Sequence, residues 1–321
     1  MRILVTGATG FLGAHVVHAL LAAGDEVRAL VHSERPRDHI RAPDVELRQG
    51  DLLDERSLKE ACRGVDGLVH CAARMGFWSR QNEIQRAINV EGTTALYRAA
   101  RKSALARIVH VSSVAAVGAS ARPEVLDESA AWGTLGMKVN YALTKRQGEE
   151  RALAAARAGL PIVVVNPSAL YGPRLDGGPV KGLVAAIARS SLPWVPPGGV
   201  SVADVADVAA ATVAALRRGR AGERTILAGH NLTWRQLYEA IAAEVGGRVP
   251  RRALSLRGVR LRAFATGALD ALHLSRPRWA PEIYRSYGLY SWYRSDKAAR
   301  ELGYGVRPLE QIVRRAAGLP A

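Results

Sequence analysis

The sequence predicts an α/β fold, a doubly wound parallel sheet followed by a smaller C-terminal α/β region. Three observations carry that prediction. Short apolar runs rich in Val and Ile alternate with longer amphipathic ones through the first half of the chain, the order from which parallel sheets with right-handed crossovers are built. The first such run leads into VTGATGFLGAHVV (5–17), where Gly7, Gly10 and Gly13 recur at every third position before a helical pattern. After Pro167 the alternation loosens into Gly- and Pro-rich connections, so a change of domain is expected there.

Each element follows from local pattern. RILVT (2–6), EVRALV (26–31), VELRQ (45–49), GLVHC (67–71) and RIVHVS (107–112) are too short for helices and read as strands. Between them, FLGAHVVHALLAAG, DERSLKEAC and EIQRAINVEGTTALYRAARKS carry helical periodicity, with Gly24 closing the first and Asp54 capping the second. NYALTKRQGEERALAAARAG (140–159) is a long helix, and LPIVVVNP (160–167) a sixth strand. SALYGPRLDGGP and LPWVPPGGV read as loops, ADVADVAAATVAALRRG as a helix, ERTILAG as a strand, and TWRQLYEAIAAEVGG as a helix capped by Thr233. Residues 201–230 are expected to pack back onto the first domain.

Composition narrows the function classes. With 321 residues and 48 % apolar side chains, a sizeable core is expected. Cys62 and Cys71 match no disulfide or metal spacing, the eight histidines form no ligand cluster, and no metal is expected. The charge of +16 is dominated by arginine spread along the whole chain. No nucleic-acid module accompanies it, so nucleic acid is not an expected partner. The densest basic stretch, RVPRRALSLRGVRLR (248–262), contains no acid. It reads either as a solvated connection or, extended to 248–274, as a peripheral membrane contact, although Gly258 and Gly267 weaken that helix. No apolar run reaches the roughly 20 residues of a membrane span. The glycine motif starts within ten residues of Met1, so no signal peptide is expected and the chain reads as cytoplasmic, the inner face of a membrane being the alternative.

The glycine loop answers to a dinucleotide pyrophosphate. Glycine tolerates positive φ and lets a phosphate approach the backbone, and the amino terminus of the following helix offers N–H groups and a positive dipole end. The spacing is GxxGxxG, not GxGxxG. At the tip of the second strand stand His32 and Ser33, then Arg35 and Arg37, with Glu34 between and no acid at the tip itself. Basic groups there accept a 2′-phosphate, so NADP(H) is preferred and NAD(H) allowed. Asp51 in GDLLD (50–54) either meets the adenine amino group or only caps its turn.

Tyr141 and Lys145 lie four apart in a predicted helix and share one face. A tyrosine titrates near 10 and is a poor base at neutral pH, whereas a nearby ammonium stabilises its phenolate. VSSVAAVG (111–118) ends the fifth strand, at the edge where open α/β sheets place ligands. A serine hydroxyl there suits the oxygen of a reacting carbonyl.

Taken together, these segments resemble the extended short-chain dehydrogenase/reductase family. TGATGFLG is similar to its cofactor loop, YALTK to its YxxxK pair and SSVAAVG to its serine segment, while HCAA (70–73), INVEGT (88–93) and VNPSALYGP (165–173) keep the family's order. The resemblance implies a Rossmann-type domain over residues 1–167 and a substrate-binding region over 168–321. It implies that Gly7, Thr9, Gly10, Phe11, Leu12, Gly13, His32, Arg35, Arg37, Asp51, Leu52, Ala72, Ala73, Lys145, Pro167 and Ser168 hold the cofactor. It makes Ser113 the catalytic serine, with Ser112 its neighbour on the substrate side, Tyr141 the acid/base, Lys145 its partner on the nicotinamide ribose, and Asn89 a support of that lysine through water. Met75, Trp78 and Tyr171 are expected against substrate, and a homodimer is compatible with the family.

Two outcomes stay open within that family. Sugar-nucleotide members carry R-D-[YF]-[IV]-H-V-x-D before the late helix, where this chain has PPGGVSVADVAD and only Asp204 fits. The branch of dihydroflavonol reductases and 3β-hydroxysteroid dehydrogenases is the nearer likeness. It implies an NADP(H)-preferring oxidoreductase acting on a ketone, aldehyde or secondary alcohol of an apolar, steroid- or flavonoid-like small molecule. A nucleotide-sugar or hopanoid-associated sugar epimerase using transient hydride transfer is the alternative, and a non-catalytic dinucleotide-binding regulator is the alternative of another class.

Overall fold

The computed structural model describes residues 1–32, 40, 43–133, 139–173, 179–272 and 280–320. Strand β1 (Arg2–Thr6) leads through the glycine turn into helix α1 (Phe11–Ala22), then β2 (Glu26–Val31), β3 (Val45–Gln49), α2 (Glu55–Cys62) and β4 (Gly67–His70). Next come α3 (Asn82–Arg86), a π-turn over Ala87–Gly92, α4 (Thr93–Arg101), β5 (Arg107–Val111) and the short β6 (Val125–Leu126). Helix α5 (Asn140–Arg157), β7 (Ile162–Pro167), β8 (Ala169–Tyr171), α6 (Pro179–Ala188), β9 (Gly199–Asp204), α7 (Val205–Arg218) and β10 (Arg224–Leu227) follow. The chain ends with β11 (His230–Thr233), α8 (Trp234–Val245), α9 (Leu256–Ala271), α10 (Pro281–Ser286), β12 (Tyr290–Tyr293), α11 (Asp296–Leu302) and α12 (Leu309–Ala317).

Seven parallel strands form one sheet in the order β10-β7-β5-β4-β1-β2-β3. This is the doubly wound, Rossmann-type arrangement, and its order reverses between β1 and β4, where such sheets open a crevice. Alternation along each strand feeds two cores. Ile3, Val5, Val109 and Val163 pack with Val16, Val17 and Leu20 of α1 and with Val208 and Leu216 of α7 on one face. Leu4, Leu68, Ile108 and Ile162 pack with Leu58, Leu96 and Ala152 on the other. The expected caps form. Asp54 accepts from the Arg56 N–H, Gly24 takes a left-handed φ of 78° after α1, and Thr233 and Gln236 close a reciprocal capping box on α8.

A second sheet runs β11-β9-β12-β6, with β8 paired to β9. Its core gathers Tyr171, Val184, Ile187, Val202, Leu237, Tyr238, Ile312 and Val313. Residues 169–171 and 199–200, read from their glycines and prolines as loop, form β8 and the start of β9 instead, and Ala203 and Asp204, expected in the following helix, end β9. Gly199 opens β9, which pairs with β8, β11 and β12. The C-terminal aromatics pack largely on one another. Trp194 lies against Tyr284 and Tyr287, Trp234 against Tyr238 and Tyr287, and the Trp292 indole N–H donates to the Leu232 carbonyl at 3.0 Å.

Candidate active site

The crevice begins at the turn after β1. Gly7 has φ of +70°, and a Cβ there would lie 2.6 Å from the Ala72 nitrogen. A Cβ on Gly13 would lie 2.0 Å from the Gly7 carbonyl oxygen, so α1 packs on the turn as only a glycine permits. Gly10 is exposed and caps α1 without a side chain, and no acid stands in the first helical turn. The opening N–H groups of an α-helix lack intrahelical acceptors, and the Gly10 cap supplies no side chain to them. Thr9 and Leu12 flank the turn half-buried. On the far side of the crevice, Pro167 ends β7 and the buried Ser168 hydroxyl has no partner among the described residues. This bare cradle with an orphaned hydroxyl fits a dinucleotide, whose pyrophosphate would be held by Gly7, Gly10 and the start of α1.

Across the crevice, α5 presents Tyr141, Lys145 and Glu149 along one face at four-residue intervals. The Tyr141 hydroxyl lies near Ser113, whose hydroxyl accepts from the Ala115 N–H at 3.2 Å. Burial raises the Tyr141 pKa and the nearby Ser113 hydroxyl opposes that rise. An ammonium alone was expected to acidify this phenol, but the Lys145 Nζ is turned to the Val111 carbonyl at 2.9 Å. Burial lowers Lys145 to about 8, against the pull of Glu149 and Cys71.

Ser112 corrects its expected place on the substrate side. It is buried, and its hydroxyl donates to the Glu149 carboxylate at 2.5 Å. That carboxylate, fully buried, also accepts from Asn166 at 2.6 Å and pairs with Arg224 at 2.8 Å. Glu149 had a signal in the sequence, four residues past Lys145. Arg224, on β10, had none.

Asn89 makes its direct hydrogen bonds to Arg74 and Thr144. It lies in the π-turn, where its side chain accepts from the Arg74 N–H at 2.7 Å and donates to the Arg74 carbonyl at 2.9 Å and to Thr144 at 3.1 Å. The extra residue of a π-turn re-aims side chains within a helix. Here Asn89 clamps the backbone leading to the 75–81 segment, and Gln85 holds Gly76 of that segment at 2.7 Å and Asn140 of α5 at 2.7 Å. Beneath them, His70 links Thr6 of β1 at 2.7 Å to Thr93 of α4 at 3.0 Å. Burial holds His70 down to about 3, with the Lys145 ammonium adding to the effect.

Within that segment, the Phe77 ring stands 6.4 Å from the Tyr141 ring. Met75 is exposed, and Trp78 is half-buried beneath the Arg80 guanidinium. Glu282 of α10 was missed. Its buried carboxyl lies near the start of α5, where burial raises its pKa and the nearby Asn140 N–H opposes that rise. Tyr171 is corrected outright: it is buried in the second core beside Tyr238, where an apolar neighbourhood raises its pKa. Ala72 and Ala73 follow β4 at the crevice, half-buried and exposed, while Leu52 is buried under Gly92. Asp51 accepts from the Leu53 N–H at 2.9 Å and faces His32 at 3.0 Å, at the carboxyl edge of β2. Arg35 and Arg37 lie outside the described residues. Among the described residues no cluster of His, Cys, Asp and Glu suits a metal.

Residues 3–229 match the NAD dependent epimerase/dehydratase family. The chain is 32% identical over 309 residues to the sterol demethylase protein B of Methylococcus capsulatus, covering 94% of this chain and 93% of that protein. It is 33% identical over 332 residues to a 4-hydroxy-2-methyl-3-oxo-4-farnesyl-3,4-dihydroquinoline-1-oxide ketoreductase of Stigmatella aurantiaca, covering 97% and 94%. The crystal structure of a nucleoside-diphosphate-sugar epimerase from Pseudomonas aeruginosa superposes with a TM-score of 0.82 at 26% identity, covering 99% of this chain and 96% of that one.

Proposed function

The chain belongs to the NAD-dependent epimerase/dehydratase family and is an NAD(P)-dependent oxidoreductase of the extended short-chain type, and on that basis we propose that it is an NADP(H)-preferring reductase of an apolar ketone or aldehyde. The approach of the Tyr141 hydroxyl to Ser113, with Lys145 one helical turn further along α5, carries this reading. Residues 1–167 hold the dinucleotide, and 168–321 supply most of the substrate side. When bound, the cofactor supplies a hydride to the carbonyl carbon. Tyr141 gives its phenolic proton to the substrate oxygen, Ser113 donates a hydrogen bond to that oxygen, and the buried Lys145 charge steadies the phenolate left behind. In the reverse direction Tyr141 takes the proton from a secondary alcohol.

The substrate class is supported by the Phe77 ring against Tyr141 and by relatives named for a sterol and for a farnesylated quinoline oxide. The NADP preference is supported by Arg35 and Arg37 after the second strand and by the absence of an acid at its tip. An epimerase is favoured by the superposition on a nucleoside-diphosphate-sugar epimerase, and net consumption of NADPH separates the two. A homodimer and a peripheral membrane contact remain compatible with this reading.

The test follows absorbance of the reduced cofactor with NADPH or NADH and a panel of sterols, flavonoids, alkyl ketones and nucleotide sugars. We expect turnover with NADPH on the apolar carbonyls, and a fall in the NADPH-over-NADH ratio in an Arg35→Ser, Arg37→Ser variant. Sugar epimerisation without cofactor consumption would overturn the reductase assignment.

A further inference from the structure

Helix α9 packs one thin edge on the protein and leaves the rest in water. Of its sixteen residues only Val259 is buried. Its inner side is fixed by the Arg262 guanidinium over Trp194 and by Asp270, which accepts from the Ser79 N–H at 2.9 Å. Its outer side carries Leu261, 68% exposed, and Phe264, 76% exposed, the two most exposed large apolar side chains among the described residues. Leu256 and Leu272, likewise exposed, extend that surface to both ends. At 100° per residue, Leu261, Phe264, Ala268 and Leu272 fall on one stripe.

Arginine surrounds the stripe. Arg257 stands exposed one turn before Leu261 in line with the stripe, Arg260 is exposed at its side, and Arg251 and Arg252 precede the helix. None of these four is in an ion pair among the described residues, and the first acid after Glu244 is Asp270, on the inner side. Apolar side chains ringed by guanidinium groups complement a surface with anionic headgroups above acyl chains. A second copy of the chain is the poorer match, because a two-fold contact centred on α9 would set arginines against arginines.

We propose that α9 docks this protein on an anionic lipid bilayer, with Leu261 and Phe264 inserted among the acyl chains and Arg257 and Arg260 at the headgroups. Docking there sets the catalytic crevice at the membrane. Asp270 holds Ser79, two residues from Phe77, whose ring faces Tyr141. The idea goes beyond the proposed reaction and does not depend on it, because binding is read without turnover.

The experiment is sedimentation of the full chain with phosphatidylcholine vesicles and with equimolar phosphatidylcholine and phosphatidylglycerol vesicles. The intact protein is expected on the anionic vesicles. The charge-neutral pair Leu261→Ser, Phe264→Ser should lower partitioning roughly tenfold with secondary structure and melting temperature retained. The pair Arg257→Glu, Arg260→Glu should lower it as far and remove most of its salt dependence. Four results would overturn the proposal: no vesicle binding, equal binding to neutral vesicles, salt-sensitive binding that the serine pair leaves unchanged, or a dimer in ultracentrifugation that the serine pair abolishes.

Discussion

Ser112 and Ser113 are adjacent in the chain and turn to the same helix two turns apart, Ser112 bonding to Glu149 and Ser113 lying near Tyr141. One hydroxyl therefore belongs to the packing of β5 against α5 and the other to the crevice. Their substitutions should separate accordingly. Ser113→Ala should lower kcat by about 10²–10³-fold with little change in melting temperature, as for loss of one oxyanion donor. Ser112→Ala should leave kcat within several-fold and destabilise by about 1–3 kcal/mol, because Glu149 loses a buried donor. Steady-state rates and calorimetry on both variants check this, and equal kinetic loss in the two would refute the assignment. Tyr141→Phe, which keeps the ring but removes the proton, should abolish turnover while cofactor binding persists.

Glycine substitutions should divide in the same way. Gly10 is exposed, and a Cβ there approaches only the Gly7 carbonyl, at 3.1 Å. Gly10→Asp should therefore fold yet lose NADP(H) binding, because its carboxylate stands where the helix start would receive a phosphate. Gly13→Ala forces an atom to 2.0 Å from the Gly7 carbonyl and should cost about 1–3 kcal/mol through overpacking. Melting curves with and without NADPH distinguish the two outcomes.

Lys145 should set an alkaline limit. Its pKa is lowered to about 8, mainly by burial, so its charge is present below that value and lost as pH rises through it. With the cation needed beside Tyr141, kcat/KM for reduction should fall above about pH 8. Glu149→Gln removes the charge that raises Lys145 and should move this limb to lower pH. It also leaves Arg224 without its carboxylate, at a cost of about 3–5 kcal/mol, part of which Arg224→Met should restore. An unmoved limb in a folded Glu149→Gln protein would contradict the link.

Acid should destabilise the fold through its buried histidines. His70 is lowered from 6.5 to about 3 and His110 well below 6.5, both chiefly by burial. Depressed in the folded state, they bind protons only on unfolding. Their contribution is thus complete above pH 6.5 and is lost as pH falls toward the folded values. At pH 4 the loss for His70 is on the order of 3 kcal/mol. Melting temperature followed from pH 7 to 4 should drop, and His70→Asn should flatten that slope.

Much of the crevice was legible because it is local. A glycine that needs φ of +70°, a Tyr and Lys one helical turn apart, and a serine at a strand end are each written within a few residues. The less legible features all depend on distant partners. Nothing near Ser112 distinguishes it from Ser113 until α5 lies against β5. The insertion that makes a π-turn at Asn89 leaves no mark in an otherwise helical pattern. Tyr171 precedes a Gly-Pro pair and reads as a rim residue, yet β8 pairs with β9 and carries it into the second core.

Periodicity and turn chemistry thus specified the parallel sheet, the cofactor cradle and the helix bearing Tyr141 and Lys145, since they act between residues close along the chain. The direction of each hydroxyl, the ion pair of Glu149 with Arg224, the clamp of Asn89 on Arg74 and the bare outer face of α9 arose from contacts between elements far apart in sequence. Burial and charge pairing are properties of the packed whole, and a linear pattern does not record which surfaces meet.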